Sequence, residues 1–244
     1  MRVVFYCNNF IGVGHFVRTH AIASQLGRKG ASVTLVSGGT PIPELPISDR
    51  VQFVQLPSLR ISSETRKLET STGRPVTRVF LESRSRLIAE VLADNRPDFF
   101  VIEHFPFGRY ELGPELLTIL KRLQPLRERK RIQVVSSVRD IVVVPDDPAT
   151  VQRRIVDRIE RFFDVVLVHA DGNVFNFESQ FPVGSFSQAF KYTGYVVEAA
   201  DGNPSETTPE IDWMLDRKSL GDYMVVVSIG GGREGNALVD ASTG

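Results

Sequence analysis

Cysteine, net charge and long apolar runs are all scarce in this chain, and each scarcity excludes something. A single cysteine, Cys7, stands among 244 residues. No internal disulfide can form, so a reducing cytoplasm is the expected compartment. At the end of an apolar run, Cys7 is expected to be a small buried residue rather than a nucleophile. Twenty-nine basic residues balance 29 acidic ones, whereas nucleic-acid-binding domains carry a basic excess, so nucleic acid is not an expected partner. No stretch approaches the length of a transmembrane helix, although peripheral membrane contact through a small apolar patch stays open. Residues 1–6 are too short for a signal-peptide core and polar Asn8-Asn9 follow, so no secretory leader is expected.

What is present is ordinary for a soluble globular protein: 42% hydrophobic and 24% charged residues. Strand-like runs at 2–7, 33–37, 51–56, 98–103, 132–136 and 165–169 alternate with helical patterns. The helices are expected at 15–27 (Phe16, Ala23 and Leu26 on one face), 76–92 (Val76, Val79, Phe80, Leu87, Val91, Leu92), 112–123 and 151–162. A polar stretch at 58–74 reads as a surface loop. Short Val/Ile/Phe runs between amphipathic helices predict a parallel sheet covered on both faces, an α/β, Rossmann-like, doubly wound domain.

Composition shifts after Gly194. Residues 1–197 are expected to form the first domain, 198–221 an interdomain linker with a short helix, and 222–244 the start of a second Rossmann-like domain. One strand at 223–228 and part of a helix cannot bury a core, so the sequence is expected to be the first part of a longer protein.

In an open parallel sheet, ligands bind beyond the carboxyl ends of the strands. His15, His104 and His169 each follow or end a strand there, while His20 lies inside the first helix. Glu103, Arg109, Arg139, Asp140 and Asp171 share that edge, where polar groups also collect simply because apolar strands exclude them. The first loop, Asn8 to His15, joins a strand directly to a helix. Gly12 and Gly14 let its backbone pass close to a ligand, and free N–H groups at the helix start favour an anion. The dinucleotide fingerprint needs a third glycine at position 17, which is Val17, and Ser37-Gly38-Gly39 replaces the acid at the tip of the second strand. A nicotinamide dehydrogenase is therefore disfavoured.

His15, near the positive end of a helix dipole, favours neutral imidazole. It is either a general base at the mouth of a crevice or a cap on the turn. The second glycine loop, Gly230-Gly231-Gly232, either cradles a diphosphate with its amides or makes an ordinary tight turn. Arg18 either reaches a phosphate or is a solvated helix-face residue. Asp140 either orients a histidine or the acceptor, or caps a helix.

Gly12-Val13-Gly14-His15, with Arg18 and Ala21-Ile22-Ala23, resembles the opening motif of GT-B glycosyltransferases related to MurG. The likeness is strongest to the predicted glycosyltransferases of that group and extends to the nucleotide-sugar hydrolase of pseudaminic acid synthesis. Phe105-Pro106-Phe107-Gly108-Arg109, Ser137-Val138-Arg139-Asp140 and residues 225–232 add to it by their order. The resemblance implies two Rossmann-like domains across a cleft, the first binding a hydroxyl acceptor and the second a nucleotide sugar, commonly a UDP-sugar. It implies His15 as base, Gly12 and Gly14 as the loop near the phosphates or acceptor, and Gly230, Gly231 and Gly232 on the donor diphosphate. Arg18, His104, Arg139 and Asp140 are further candidates for substrate or phosphate contacts, from their place at the sheet edge and the first helix. No cofactor is expected, the nucleotide sugar being a substrate. No metal is expected either: the sequence has no Asp-x-Asp, and Asp146-Asp147 between prolines reads as a turn. The same apparatus with water as acceptor would make a nucleotide-sugar hydrolase. An epimerase, or a binding fragment without turnover, is a further alternative.

Overall fold

The computed structural model describes residues 1–10, 12–65, 67–139, 148–181, 186 and 190–197. Asp140, the three glycines at 230–232 and the ranges expected as linker and second domain lie outside the described residues. Residues Met1–Val196 group as one compact unit.

The apolar runs become the strands of one seven-stranded sheet. They are β1 (Arg2–Cys7), β2 (Ser32–Ser37), β3 (Val51–Gln55), β6 (Phe99–Glu103), β7 (Gln133–Arg139), β8 (Val165–His169) and β9 (Phe190–Tyr192). Their spatial order is β3-β2-β1-β6-β7-β8-β9, and every neighbouring pair runs parallel. Residues of β1 alternate between two cores. Val3, Phe5 and Cys7 pack with Phe16 and Ala23 of α1 (Gly14–Arg28). Val4 and Tyr6 face the other side, where α2 (Arg78–Asn95), α3 (Gly113–Glu128) and α4 (Pro148–Phe162) contribute Ile88, Leu116, Ile119 and Ile159. Where α1 covers one face and α2 and α3 the other, whole strands, and not alternate residues, are apolar. Among the described residues, no helix is long and apolar enough to cross a membrane.

The chain leaves β1 through α1 to β2 on one flank, whereas β6 lies on the other. The strand order therefore reverses at the β1–β6 seam, the kind of switch point at which open parallel sheets bind ligands beyond the strands' carboxyl ends.

Three local expectations are corrected. Residues 58–74 are not loop throughout. β4 (Leu59–Ile61) and β5 (Leu68–Thr70) form an antiparallel pair, because Leu59 is fully buried and its N–H donates to the Gly38 carbonyl at 3.0 Å. β9 was not expected; three residues are too few for a periodic signal. On α2, Val79 is 70% exposed and Leu87 38%, so the face read as apolar is in part the outer one. The inward face carries Leu81, Arg84, Ser85, Ile88 and Leu92.

Arg84 turns inward because its charge is fully answered. Its side chain and that of Glu115 are both completely buried, with Nε donating to Glu115 Oε2 at 2.6 Å. Arg84 also donates to the carbonyls of Gly38 and Pro57 and to Asn8 Oδ1, while the Tyr6 hydroxyl donates to Glu115. One guanidinium thus ties α2 and α3 to the loops that follow β1, β2 and β3. A side chain at Gly38 has no room there, since its Cβ would collide with Asn8 and with Arg84 itself.

Candidate active site

Gly12 stands at φ +65, a left-handed conformation that suits glycine and turns the chain from β1 into α1. The first turn of α1 has no side-chain cap and no acidic residue. Its N-terminal amides remain available to an anion. Gly14 begins the helix and His15 follows at once, so the imidazole sits over the β1–β6 seam.

There it meets Glu103, the last residue of β6. His15 Nδ1 lies 2.8 Å from Glu103 Oε1; the side chains are 16% and 2% exposed. Arg18, one turn along α1, donates through Nη2 to the same oxygen. The other oxygen, Oε2, accepts from Ser137 Oγ of β7 at 2.6 Å. Ser137 Oγ lies 2.9 Å from His169 Nε2 at the end of β8, and His169 Nδ1 lies 2.8 Å from Thr193 Oγ1 just past β9.

The protons of this chain can be assigned in order. Burial raises the Glu103 carboxyl, but the hydrogen bond from His15 and the Arg18 charge outweigh it and bring its pKa down to about 2. Glu103 is therefore a carboxylate that only accepts. A neutral His15 ring therefore has its proton on Nδ1, facing Glu103, and its lone pair on Nε2. Ser137 spends its one proton on Glu103 and so accepts from His169 Nε2–H. His169 is neutral, because burial lowers its pKa to about 4, and its Nδ1 accepts from Thr193. The 3.4 Å approach of Arg18 Nη2 to His15 Nδ1 is then two donors converging on one carboxylate oxygen.

His104 follows β6 at φ +64, with its ring centroid 5.0 Å from that of His15 and tilted by 49°. Burial, reinforced by the nearby His15, lowers its pKa to about 3, and its Nδ1 is buried without a partner. Arg109, at φ +58, lays its guanidinium over the Phe10 ring at 4.7 Å from the centroid. Cys7 is fully buried and burial pushes its thiol up to about 12, as suits an inert core residue.

These shifts set a pH dependence. His104 and His169 are neutral when folded, with pKa values of about 3 and 4 against an ordinary 6.5. The unfolded chain therefore takes up protons first. Stability is full above pH 6.5 and is lost as pH falls through about 4, with Glu103 adding to the loss between its ordinary 4.5 and about 2. Urea midpoints measured across this range should fall with acidification; a flat profile from pH 6.5 to 4 would place both rings in water.

The structure therefore brings His15, Arg18 and His104 together around Gly12 and Gly14. Arg139 is exposed at the end of β7, paired in register with His169, and no hydrogen bond joins it to the His15 cluster among the described residues. Glu103 was visible as an acid on this edge but had no assigned role, and Ser137, His169 and Thr193 were not joined to His15. The usable signal was an acid closing the apolar run of β6 next to a serine pair in β7.

No model of a known protein family matches the chain, and no curated protein is significantly similar to it. Solved structures are. The chain aligns with a UDP-glucosyltransferase from Polygonum tinctorium over 87% of its own length and 56% of that chain, at 12% identity and a TM-score of 0.51. The fold is that of the N-terminal Rossmann-like domain of GT-B glycosyltransferases. MurG of Acinetobacter baumannii is similar over 81% of this chain and 44% of its own, at 16% identity and a TM-score of 0.42. HepE of Anabaena, solved in complex with UDP, is similar over 91% and 50%, at 13% identity and a TM-score of 0.49. The likeness at such identities is one of fold, and the chain spans about half the length of the structures it matches.

Proposed function

We propose that this chain is the acceptor-side half of a glycosyltransferase that moves a sugar from a nucleotide-diphosphate donor, a UDP-sugar, to a hydroxyl acceptor. The observation that carries the reading is the contact between His15 Nδ1 and Glu103 at 2.8 Å. A buried carboxylate holding one ring nitrogen leaves the other basic and aimed away from it.

In the proposed step, the acceptor O–H proton passes to His15 Nε2 as the acceptor oxygen forms a bond to the anomeric carbon. The bond from that carbon to the phosphate oxygen breaks, and the leaving nucleoside diphosphate takes the electron pair. Glu103 offsets the positive charge that develops on the imidazole. The loop amides and the α1 N-terminus supply fixed dipoles for the departing anion, a part also expected of Gly230, Gly231 and Gly232. We infer a direct displacement that uses no metal or cofactor, in keeping with a sequence that has no Asp-x-Asp.

Product analysis tests the reaction class. The product of the complete reading frame, incubated with UDP-sugars and hydroxyl acceptors, should release UDP together with a glycoside. Free sugar as the only carbohydrate product would make water the acceptor and replace transfer by hydrolysis. Absence of UDP release with every donor would reduce the chain to a binding module.

A further inference from the structure

Three polar groups near the β1–β6 seam have no polar partner among the described residues. His104 Nδ1 and Arg18 Nε are buried without a hydrogen-bond partner. Among the described residues Arg109 has no ion-pair or side-chain hydrogen-bond partner; its guanidinium lies over the Phe10 ring, and Glu111 and Glu103 act on it through space. Burial lowers the Arg109 pKa, which marks a cation that has lost part of its hydration without a counter-ion.

Arg109 is partly buried, and an anion paired with a partly desolvated cation offsets the cost of that burial. Backbone strain adds to the case. His104 and Arg109 are both non-glycine residues at positive φ, and strained positions of this kind persist where the surroundings fix them, commonly at ligand sites. The Gly108 N–H donates to the His104 carbonyl at 2.8 Å, so the turn that carries both residues is closed on itself. The base His15 uses neither His104 nor Arg109.

We propose that Arg109, with His104 beside it, is an anion subsite that binds a carboxylate or phosphate group of the acceptor. The guanidinium takes two anion oxygens with its planar fork while Phe10 supports its face. Calling the anion part of the acceptor rests on the transfer reading, because Arg109 lies on the half assigned to the acceptor; anion binding itself does not depend on turnover.

The test uses the 244-residue chain and follows arginine Nε–Hε and histidine ring signals by NMR during titration with inorganic phosphate, acetate and UDP. Phosphate and acetate should move the Arg109 and His104 signals, with shifts that weaken as salt rises. Arg109→Met should weaken phosphate binding by at least about tenfold. Arg109→Lys, which keeps the charge but loses the fork, should also bind more weakly than the parent. His15→Ala should leave phosphate binding in place, so a failure of the proposed base is read separately. Unmoved signals, or variants that bind phosphate as the parent does, overturn the subsite. Displacement of phosphate from Arg109 by UDP assigns the site to the donor and overturns the acceptor reading.

Discussion

Replacing His15 with alanine should lower the rate of sugar transfer by at least about a hundredfold, the range expected for loss of a positioned base. The loss should fall on kcat with KM little changed, because the proton moves only in the transition state. Glu103→Gln should reproduce much of this effect without touching His15. The amide cannot offset an imidazolium charge, and it puts an NH2 donor in place of one of two oxygens that both accept, one from Ser137 and the other from Arg18 and His15. Steady-state kinetics on the two variants checks both statements. A change of only a few-fold at His15 would reassign the ring to the turn between β1 and α1.

Arg84→Met should cost about 3–5 kcal/mol of stability, the range for removing one partner of a buried ion pair. Methionine fills much of the volume, so the loss is electrostatic. Glu115, fully buried, would keep only the Tyr6 hydroxyl among the side-chain donors that now reach it. The carbonyls of Gly38 and Pro57 and Asn8 Oδ1 would lose a donor as well. The double replacement Arg84→Met with Glu115→Leu should recover part of the loss, since apolar side chains then replace both charges. Urea unfolding of the single and double variants measures this. A single variant within about 1 kcal/mol of the parent would contradict the assignment of the cluster as the clamp on the three loops.

Where the sequence was informative, the signal was local. The β1 run, the Gly12-x-Gly14 turn and His15 are neighbours, and their spacing placed a histidine over a sheet edge before any coordinates were needed. The six longer strands were equally legible, because strands buried on both faces are apolar throughout. The contacts that give His15 its chemistry are not local. Glu103 is 88 residues from His15, Ser137 is 34 from Glu103 and His169 is 32 from Ser137. Only the parallel register of β6, β7 and β8 brings those strand ends side by side. Arg84 was not legible for a related reason. A charged residue reads as solvent-facing, and its partner Glu115, 31 residues on, gives no sign in the sequence that the charge is paired. The strands β4, β5 and β9 have three residues each, below the length at which alternation can be recognised.

The proton on His15 can be located directly in the 244-residue chain by long-range ¹H–¹⁵N spectroscopy of the histidine rings. A Glu103 carboxylate holding the ring requires Nδ1–H with a bare Nε2, and Glu103→Gln should weaken that preference. An imidazole carrying its proton on Nε2 in the parent chain would leave no basic nitrogen facing an acceptor, and the proposed role of His15 would be wrong.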